Sequence, residues 1–355
     1  MAIVGTLGVP AAYSGFETLV EHLVRYNEGL SCPVELVVYC SARHFKERPA
    51  SYRGAELRYL ELDANNASSI LYDAVSMASA LKHGVDAILL LGVSGAIALP
   101  FVRLFSRAKI VTNIDGIEWR RDKWQGLAKI VLRLSERLAV RWSHHVVADN
   151  SAIVDYVRET YSVDSALITY GGDHALSVNG APHAGLPSRY ALALCRIEPE
   201  NNVHTILEAF SHNPALPLVF IGNWARSEYG RDLKARYEGG NSLHLLDPIY
   251  DVARLRTIRE GATLYVHGHS AGGTNPSLVE MMHFGKPIAA FDCVFNRRTT
   301  HDQALYFRDG ADLKNLTAQA AADSRFGSGA IMKRIASDHY TWEIVGRSYF
   351  DLLRT

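Results

Sequence analysis

The sequence predicts an α/β protein with two Rossmann-like, doubly wound domains, each built on a mostly parallel sheet. The chain has 355 residues, which is too long for one ordinary core and suits two domains of roughly 150–200 residues. Strand-like apolar runs alternate with amphipathic helical patterns along the sequence. A stretch rich in Gly, Pro, Ser and Ala at 171–188 interrupts this alternation and is typical of a linker.

Short apolar runs predict the strands in chain order. Those before the linker are 2–6, 34–40, 56–62, 87–91, 109–114, 144–148 and 165–170. Those after the linker are 190–195, 217–222, 242–247, 263–268 and 287–291. Amphipathic patterns such as 16–29 and 66–84 predict the helices between strands.

These elements divide the chain into predicted domains. The first domain is expected at 1–172 and the second at 189–338, with the linker at 173–188. A final amphipathic helix is expected at 339–355, after the last sheet.

Composition excludes several classes of protein. Lys and Arg total 37, as do Asp and Glu, so there is no overall basic field and we expect no nucleic-acid partner. None of the four cysteines has metal-ligand spacing, and we expect no metal site. The first residues lack the basic and long apolar regions of a signal peptide, which predicts a cytoplasmic protein.

A glycine-rich loop follows the predicted strand 263–268 and leads into a helix that begins near Pro276. Glycine lets the backbone approach a ligand, and a helix N-terminus favours an anion. The predicted phosphate-binding residues of this loop are Gly272, Gly273, Thr274 and Asn275. One turn into the helix, Glu280 is placed to accept hydrogen bonds from ribose hydroxyls. The alternative is an ordinary loop followed by a surface glutamate.

Arg196 comes directly after the predicted strand 190–195. Ligands of open α/β sheets bind at the carboxyl ends of the strands, and arginine binds phosphate through paired hydrogen bonds. We therefore expect Arg196 to hold a phosphate group. The alternative is a surface arginine that pairs with Glu198 or Glu200.

The loop after the first strand contains Gly5, Gly8 and Gly15 but does not match the GxGxxG pattern of dinucleotide sites. The second strand ends at Cys40 without the acidic residue that a NAD site needs. Both observations argue against a NAD-dependent dehydrogenase.

Three segments keep their order and spacing: GTLGVPAAYSGFETLVEHL at 5–23, CRIEPENN at 195–202 and HGHSAGGTNPSLVEMM at 267–282. With them, nearly the whole chain resembles the retaining GT-B glycosyltransferases of the family that includes sucrose synthases. Within that family it is similar to a branch of bacterial polysaccharide rhamnosyltransferases.

The resemblance implies two domains that face a central crevice, with the last helix packing back. It implies transfer of L-rhamnose from dTDP-β-L-rhamnose, in a β1-4 linkage, to a lipid-diphosphate-linked sugar in cell-surface polysaccharide synthesis. The first domain would bind this acceptor and the second the nucleotide sugar. The implied hexosyltransferase needs no cofactor and no metal.

The sequence departs from the family pattern at two positions. The family has two acids separated by seven residues; Glu280 matches the second, which holds the donor ribose, but Gly272 stands at the first. The family also has an arginine and, five positions later, a lysine; Arg196 matches the former and Asn201 replaces the latter. We keep Gly272 and Asn201 as donor-site positions. The diphosphate would then be held by Arg196, by Gly15, and by the backbone of Gly273, Thr274 and Asn275.

Polar residues after strands of the first half are predicted to position the acceptor. Asp115, Asp149 and Tyr170 are expected to share the catalytic site with Arg196. The expected acceptor-binding residues are Tyr13 and Glu118. For each acid the alternative is a helix cap or a surface acid, and Asp149 precedes a helical pattern where an N-cap is expected.

Residues 118–142 predict a basic amphipathic helix with tryptophans along it. Its cations and tryptophans are Arg120, Arg121, Lys123, Lys129, Arg133, Arg137, Arg141, Trp119, Trp124 and Trp142. Such a helix can lie on an anionic membrane, which predicts a peripheral location at the inner face of the plasma membrane. The alternative is a solvated helix whose apolar side, with Ile130, Leu134 and Leu138, packs in the core.

Three other functions stay open. A sugar-nucleotide 2-epimerase shares the two-domain architecture and needs no acceptor. A transferase of the same fold can use a UDP- or GDP-sugar instead. A two-domain sugar-binding protein is usually exported, which the lack of a recognisable signal peptide does not favour.

Overall fold

The computed structural model describes residues 1–11, 15–65, 68–120, 126–181, 185–211, 216–240, 242–323 and 326–354. It forms two α/β units with largely parallel sheets, which confirms the predicted fold class. The first unit comprises Met1–Thr169 with Trp342–Thr355, and the second comprises Tyr170–Thr341.

Eight strands form the sheet of the first unit. They are β1 (Ala2–Val4), β2 (Val37–Ser41), β3 (Ser51–Tyr52), β4 (Ala55–Leu60), β5 (Ala87–Leu91), β6 (Lys109–Asn113), β7 (His145–Ala148) and β8 (Ala166–Leu167). Their order is β3-β4-β2-β1-β5-β6-β7-β8, and β3 with β4 is the antiparallel pair. The strand order reverses between β1 and β5, so the carboxyl ends of these two strands are the switch point of this sheet.

Six parallel strands form the sheet of the second unit. They are β9 (Ala191–Leu194), β10 (Leu218–Ile221), β11 (Leu243–Leu246), β12 (Leu264–His267), β13 (Ile288–Phe291) and β14 (Leu305–Phe307). Their order is β11-β10-β9-β12-β13-β14, the arrangement of a dinucleotide-binding Rossmann sheet. The switch point lies between β9 and β12, where Ala191 is aligned with Leu264.

Helices connect and cover these strands. They are α1 (Gly15–Glu28), α2 (Ser69–Lys82), α3 (Leu99–Phe105), α4 (Gly126–Trp142), α5 (Ser151–Tyr161), α6 (Val203–Ser211), α7 (Glu228–Tyr237), α8 (Val252–Gly261), α9 (Pro276–Met282), α10 (Val294–Thr299), α11 (Gly310–Ala322), α12 (Gly329–His339) and α13 (Trp342–Arg354). Because the crossover helices cover the parallel sheets, central strands are apolar along their whole length, as in Ile88, Leu89 and Leu90 of β5.

All twelve predicted strands are present, most of them one or two residues shorter than the apolar runs. Two observed strands were not predicted, β3 and β14, because runs of two and three residues give no period to detect. The run 165–170 pairs only at Ala166–Leu167, so Tyr170 lies beyond the strand and belongs to the second unit.

The predicted linker 173–188 differs from the observed structure, because its described residues belong to the second unit. It begins with a 3₁₀ turn at Asp173–Leu176. The Arg256 guanidinium donates to the carbonyl oxygens of Leu176 and Val178, which fixes the segment to α8. A composition rich in Gly and Pro therefore marks an irregular but packed segment here.

Helix α13 packs back onto the first unit, as predicted, although it begins at Trp342 and not at 339. The indole of Trp342 stacks on His22 of α1 with ring centroids 4.1 Å apart. Farther along, the Tyr349 hydroxyl accepts a 2.6 Å hydrogen bond from Asn113 at the end of β6. The apolar face of α13 thus completes the core of the first unit.

No helix in the described ranges combines the length and the apolar character that crossing a bilayer requires.

Candidate functional site

Two loops meet at the switch point of the second sheet, one after β9 and one after β12. Gly268 allows this approach, because a Cβ there would collide with the carbonyl oxygen of Asn201. The Asn202 side chain donates to the Gly268 carbonyl at 2.9 Å. Ser270 donates to the Glu200 carbonyl from its backbone N–H at 3.0 Å and from its hydroxyl at 2.7 Å. The segments that carry Arg196 and the predicted phosphate-binding loop are therefore held together.

The glycine-rich loop offers backbone donors. Gly272 has a φ of +100°, a conformation that favours glycine, so the loop turns sharply just before α9. Among the described residues, the N–H groups of Gly272 and Gly273 have no hydrogen-bond partner. Both residues are half-buried, which suits an anion held by backbone amides.

Asn275 and Thr274 behave differently from the two glycines. The Asn275 side chain caps α9 and accepts hydrogen bonds from the Ser277 backbone N–H at 3.0 Å and from its hydroxyl at 2.8 Å. The first-turn donor that a phosphate would use at Ser277 is thus already satisfied. Thr274 is buried, with its hydroxyl 3.4 Å from that of Thr299. The loop thus offers an anion its backbone amides more than the helix N-terminus.

Asn201 supports the loop that carries Arg196. It is 2% exposed, and its amide nitrogen donates to the Arg196 carbonyl at 2.7 Å. Its side-chain oxygen lies 2.6 Å from Nδ1 of His269, which must be the donor because a carbonyl oxygen only accepts. From the sequence, Asn201 was expected at the donor site, where it replaces the lysine of the family pattern. The structure instead uses both ends of the amide inside the protein.

Replacing Asn201 with alanine should therefore act through the loop. The change removes the hydrogen bonds of this amide to the Arg196 carbonyl and to the His269 ring nitrogen, and we expect it to destabilise folding by about 1–3 kcal/mol. Turnover should fall as well, because Arg196 loses its support. Urea unfolding and steady-state rates measure the two effects, with Asn315→Ala on the exposed side of α11 as the control. Unchanged stability would show that this amide does not hold the loop.

Arg196 keeps a partly exposed side chain directly beyond β9. The side chain is 41% exposed, and its Nε lies 3.9 Å from a carboxylate oxygen of Glu198. This loose pair is the alternative that we left open from the sequence. Because the pair is long and solvated, it does not prevent the guanidinium from binding an anion.

Glu280 is not a surface glutamate. Its carboxylate accepts a hydrogen bond from the guanidinium of Arg259 on α8, and His174 Nε2 lies 3.4 Å from its second oxygen. Burial on its own would raise the pKa of Glu280, but the charge of Arg259 and the hydrogen bond from His174 outweigh it and lower the pKa to about 2. The site thus contains a carboxylate that is ionised at neutral pH, one turn beyond the glycine-rich loop.

Arg259 and His174 were missed in the sequence. Arg259 lies in the charged segment VARLRTIREG, and the sequence does not distinguish it from the other arginines there. In the structure it is only 5% exposed. His174 lies in the segment predicted as a linker. No sequence signal could have paired either residue with Glu280.

A second polar cluster lies at strand ends of the first unit. Asp115 follows β6 with a φ of +59°, and its backbone N–H donates to the Asn113 side chain at 2.8 Å. Asp149 is buried directly after β7. The N-cap of α5 is Asn150, whose side chain accepts from Ala152 N at 3.0 Å, so the capping alternative for Asp149 is wrong.

Tyr349 of α13 joins this cluster and was also missed. Burial raises the pKa of Tyr349, the Asn113 hydrogen bond lowers it, and the charges of Asp149 and Asp115 raise it further. The two carboxylates thus lie close enough to act on one buried hydroxyl. Tyr349 is separated from Asn113 by 236 positions, which no local pattern reveals.

The remaining predicted residues are more scattered. Tyr170 is buried and lies in the second unit, whereas Asp115 and Asp149 lie in the first. Glu118 begins the short 3₁₀ turn Glu118–Arg120. Gly15 is the first residue of α1. Tyr13 lies outside the described residues.

Comparison with known families gives two matches along the chain. Residues 184–323 match the family described as "Glycosyl transferases group 1". This segment, which lies within the second unit, is similar to that family. It contains Arg196, the glycine-rich loop and Glu280 with its partner Arg259. Residues 1–173 match a different family, described as "Domain of unknown function (DUF1972)". No curated protein matches the chain.

Solved structures share the fold of the whole chain. Sucrose-phosphate synthase from Thermosynechococcus elongatus has 16% identity and a TM-score of 0.82, covering 99% of this chain and 98% of that chain. HepE from Anabaena, solved with UDP, has 14% identity and a TM-score of 0.73, with 99% of each chain covered. A glycosyltransferase from Rickettsia africae has 13% identity and a TM-score of 0.73, covering 99% of this chain and 97% of that chain. At these identities the likenesses show that the chain has the GT-B fold.

The described residues contain no group of three or more His, Cys, Asp or Glu side chains placed to hold a metal ion. The expectation that the group 1 domain works without metal stays a prediction.

Proposed function

We propose that this protein is a retaining glycosyltransferase that moves a sugar from a nucleotide sugar to a second sugar. The single observation that carries the proposal is the pair of strand-end loops in the group 1 domain. There Arg196, the open amides of Gly272 and Gly273, and the charged Glu280 surround the switch point of the sheet.

The donor site follows from the chemistry of these groups. A nucleoside diphosphate carries anionic oxygens, which suit Arg196 and the amides of Gly272 and Gly273. Glu280 would accept hydrogen bonds from the ribose hydroxyls, and Arg259 would keep its carboxylate charged and oriented. Because negative charge grows on the leaving diphosphate, Arg196 would stabilise the transition state more than the ground state.

The transfer step would use the donor phosphate as the base. The bond between the anomeric carbon and the phosphate oxygen breaks, and the acceptor oxygen bonds to the same face of that carbon. The acceptor proton passes to the departing phosphate. Asp115 and Asp149 would orient the acceptor hydroxyl in this scheme.

The more specific part of the proposal concerns the two substrates. We infer that the donor is dTDP-β-L-rhamnose and that the acceptor is a lipid-diphosphate-linked sugar at an anionic membrane surface. The three motifs of the rhamnosyltransferase branch support this donor. So does Gly272, which stands where the wider family has an acid that contacts the donor sugar. A UDP-sugar is the second candidate, because the related HepE structure was also solved with UDP and glucose.

A donor panel tests the proposal. With a pyrophosphate-lipid acceptor, we expect dTDP-β-L-rhamnose to be turned over at least about tenfold faster than UDP-glucose, UDP-N-acetylglucosamine or GDP-mannose. A factor of ten in rate corresponds to about 1.4 kcal/mol of transition-state stabilisation. Mass spectrometry identifies the product, and NMR of the new linkage reports whether configuration is retained. Faster transfer from UDP-glucose would overturn the rhamnose assignment, and product formation without acceptor would indicate an epimerase.

A further inference from the structure

Helices α3 and α4 of the first unit expose large apolar side chains. Six of them are between 51% and 82% exposed: Phe101, Leu104 and Phe105 of α3, and Leu127, Ile130 and Leu134 of α4. The two helices pack against each other. We refer to these six side chains as the apolar face. Isolated exposed leucines are ordinary on a protein surface, but six on two packed helices mark an interaction site.

The spacing shows that each helix turns one side outward. On α3 the exposed positions are i, i+3 and i+4, and on α4 they are i, i+3 and i+7. The buried residues of α4 are instead Ser135, Glu136, Ala139 and Val140. The alternative that placed Ile130 and Leu134 in the core is therefore wrong, because small and polar residues of α4 face the unit.

Positive charge surrounds the apolar face. Six exposed cations lie on or beside the two helices: Arg103, Arg107, Lys129, Arg133, Arg137 and Arg141. The one acid within α3 and α4 is Glu136, which is 1% exposed. It accepts hydrogen bonds from the hydroxyls of Tyr156 and Tyr161, both at 2.6 Å. The charge that this surface presents is therefore positive.

Trp119 lies at the edge of this surface. Three cations approach its ring, with Arg133 at 5.2 Å, Arg120 at 5.3 Å and Lys129 at 5.8 Å from the centroid. Its Nε1–H donates to Glu136 at 3.3 Å. An indole fixed among cations, on a turn that packs against α4, is typical of a surface that binds at a lipid interface.

We propose that the apolar face docks on an anionic lipid bilayer, with Phe105, Leu127 and Ile130 entering the headgroup boundary and the flanking cations bound to lipid phosphates. Charge complementarity selects this occupant. A two-fold dimer through the same face would bring two positively charged surfaces together, which like-charge repulsion disfavours. Docking on the bilayer would bring the protein to its lipid-linked acceptor, and this part of the inference rests on the proposed function. The docking itself does not.

Vesicle binding tests the proposal without any turnover. The whole protein should co-float with vesicles containing phosphatidylglycerol and not with pure phosphatidylcholine, and binding should weaken as salt rises. Reversing Arg133 and Arg137 to Glu should weaken binding by about 100-fold. Replacing Phe105 and Leu127 by Asp should weaken it by more than about tenfold.

A matched control comes from the second unit. Tyr250 and Val252 are exposed apolar residues outside the face, and replacing both by Asp should leave vesicle binding unchanged. Because Phe105, Leu127, Tyr250 and Val252 are all exposed, we expect these variants to keep the fold. Thermal unfolding of every variant checks this. Binding of dTDP reports the donor site separately, so a failure of the proposed function is distinguishable from a failure of docking.

Three outcomes would overturn the proposal. The wild-type protein could fail to float with phosphatidylglycerol vesicles, or the control pair could lose binding as strongly as the apolar pair. Sedimentation could also show a dimer that Phe105→Asp and Leu127→Asp dissociate, which would make the face a contact between copies of this chain.

Discussion

Replacing Arg196 with alanine is expected to lower turnover by about 10²–10³-fold, the loss seen when a major oxyanion donor is removed. Arg196 is the cation at the end of β9, on the switch point of the second sheet. In the family that the sequence resembles, a lysine also contacts the diphosphate. Here Asn201 stands in its place and is buried. Arg196 should therefore hold most of the charge that develops on the leaving diphosphate.

Two further variants make this experiment specific. Arg196→Lys should recover only part of the rate, because an ammonium cannot form the paired hydrogen bonds of a guanidinium. Arg231→Ala removes an exposed arginine of α7 that bonds to the Ala225 carbonyl, and it should leave the rate unchanged. Steady-state kinetics with both substrates varied, together with donor binding, separates the chemical step from affinity. A fully active Arg196→Ala enzyme would remove this residue from the site.

The second large effect is expected at the Arg259–Glu280 pair. Arg259→Met leaves a buried carboxylate without its cation, and this should cost about 3–5 kcal/mol of folding stability. Glu280→Gln should also weaken binding of the nucleoside diphosphate by about 1–3 kcal/mol, since charge-assisted hydrogen bonds to the ribose are lost. The double variant should be less destabilised than the sum of the single variants, because neither charge is then left alone.

The pH dependence of stability provides an independent measurement of this pair. The pKa of Glu280 in the folded protein is about 2, below its ordinary value of 4.5. A depressed carboxyl pKa adds stability that is present above the unfolded value and is lost as pH falls from about 4.5 toward 2. Urea unfolding over this range should show a steeper loss for the wild type than for the double variant.

Arg347→Met is the matched control, because Arg347 pairs with Glu343 at 2.8 Å and both side chains are more than 60% exposed. Its cost should stay below about 1 kcal/mol. If Arg259→Met costs no more than this control, the buried pair does not hold the second unit together.

The sequence predicts most of the fold because its apolar runs are long and regular. Strands such as β5 and β9 are buried on both faces, so each appears as a continuous apolar run whose end marks a loop at the switch point. Arg196 and the glycine-rich loop are found in this way. The sequence therefore predicts those candidate residues whose place follows from the end of a single strand.

The rest depends on contacts between distant segments. In the sequence Arg259 resembles any charged residue of a surface helix, and only the fold pairs it with Glu280 of α9. In the same way Tyr349 of α13 reaches Asn113. For α4, the period reveals an apolar stripe, but a period cannot tell whether the stripe faces the sheet or the solvent. Small residues such as Ala139 let the opposite side approach the unit, and this decides the orientation.

The return of α13 to the first unit has a consequence for folding during synthesis. Residues 170–341, the whole second unit, are synthesised before Trp342 and Tyr349. The second unit can therefore begin to fold before α13 is available, since domains generally fold as units while the chain emerges. The first unit must wait with an uncovered apolar surface on α1 and β6, and its cooperative folding can finish only when α13 arrives.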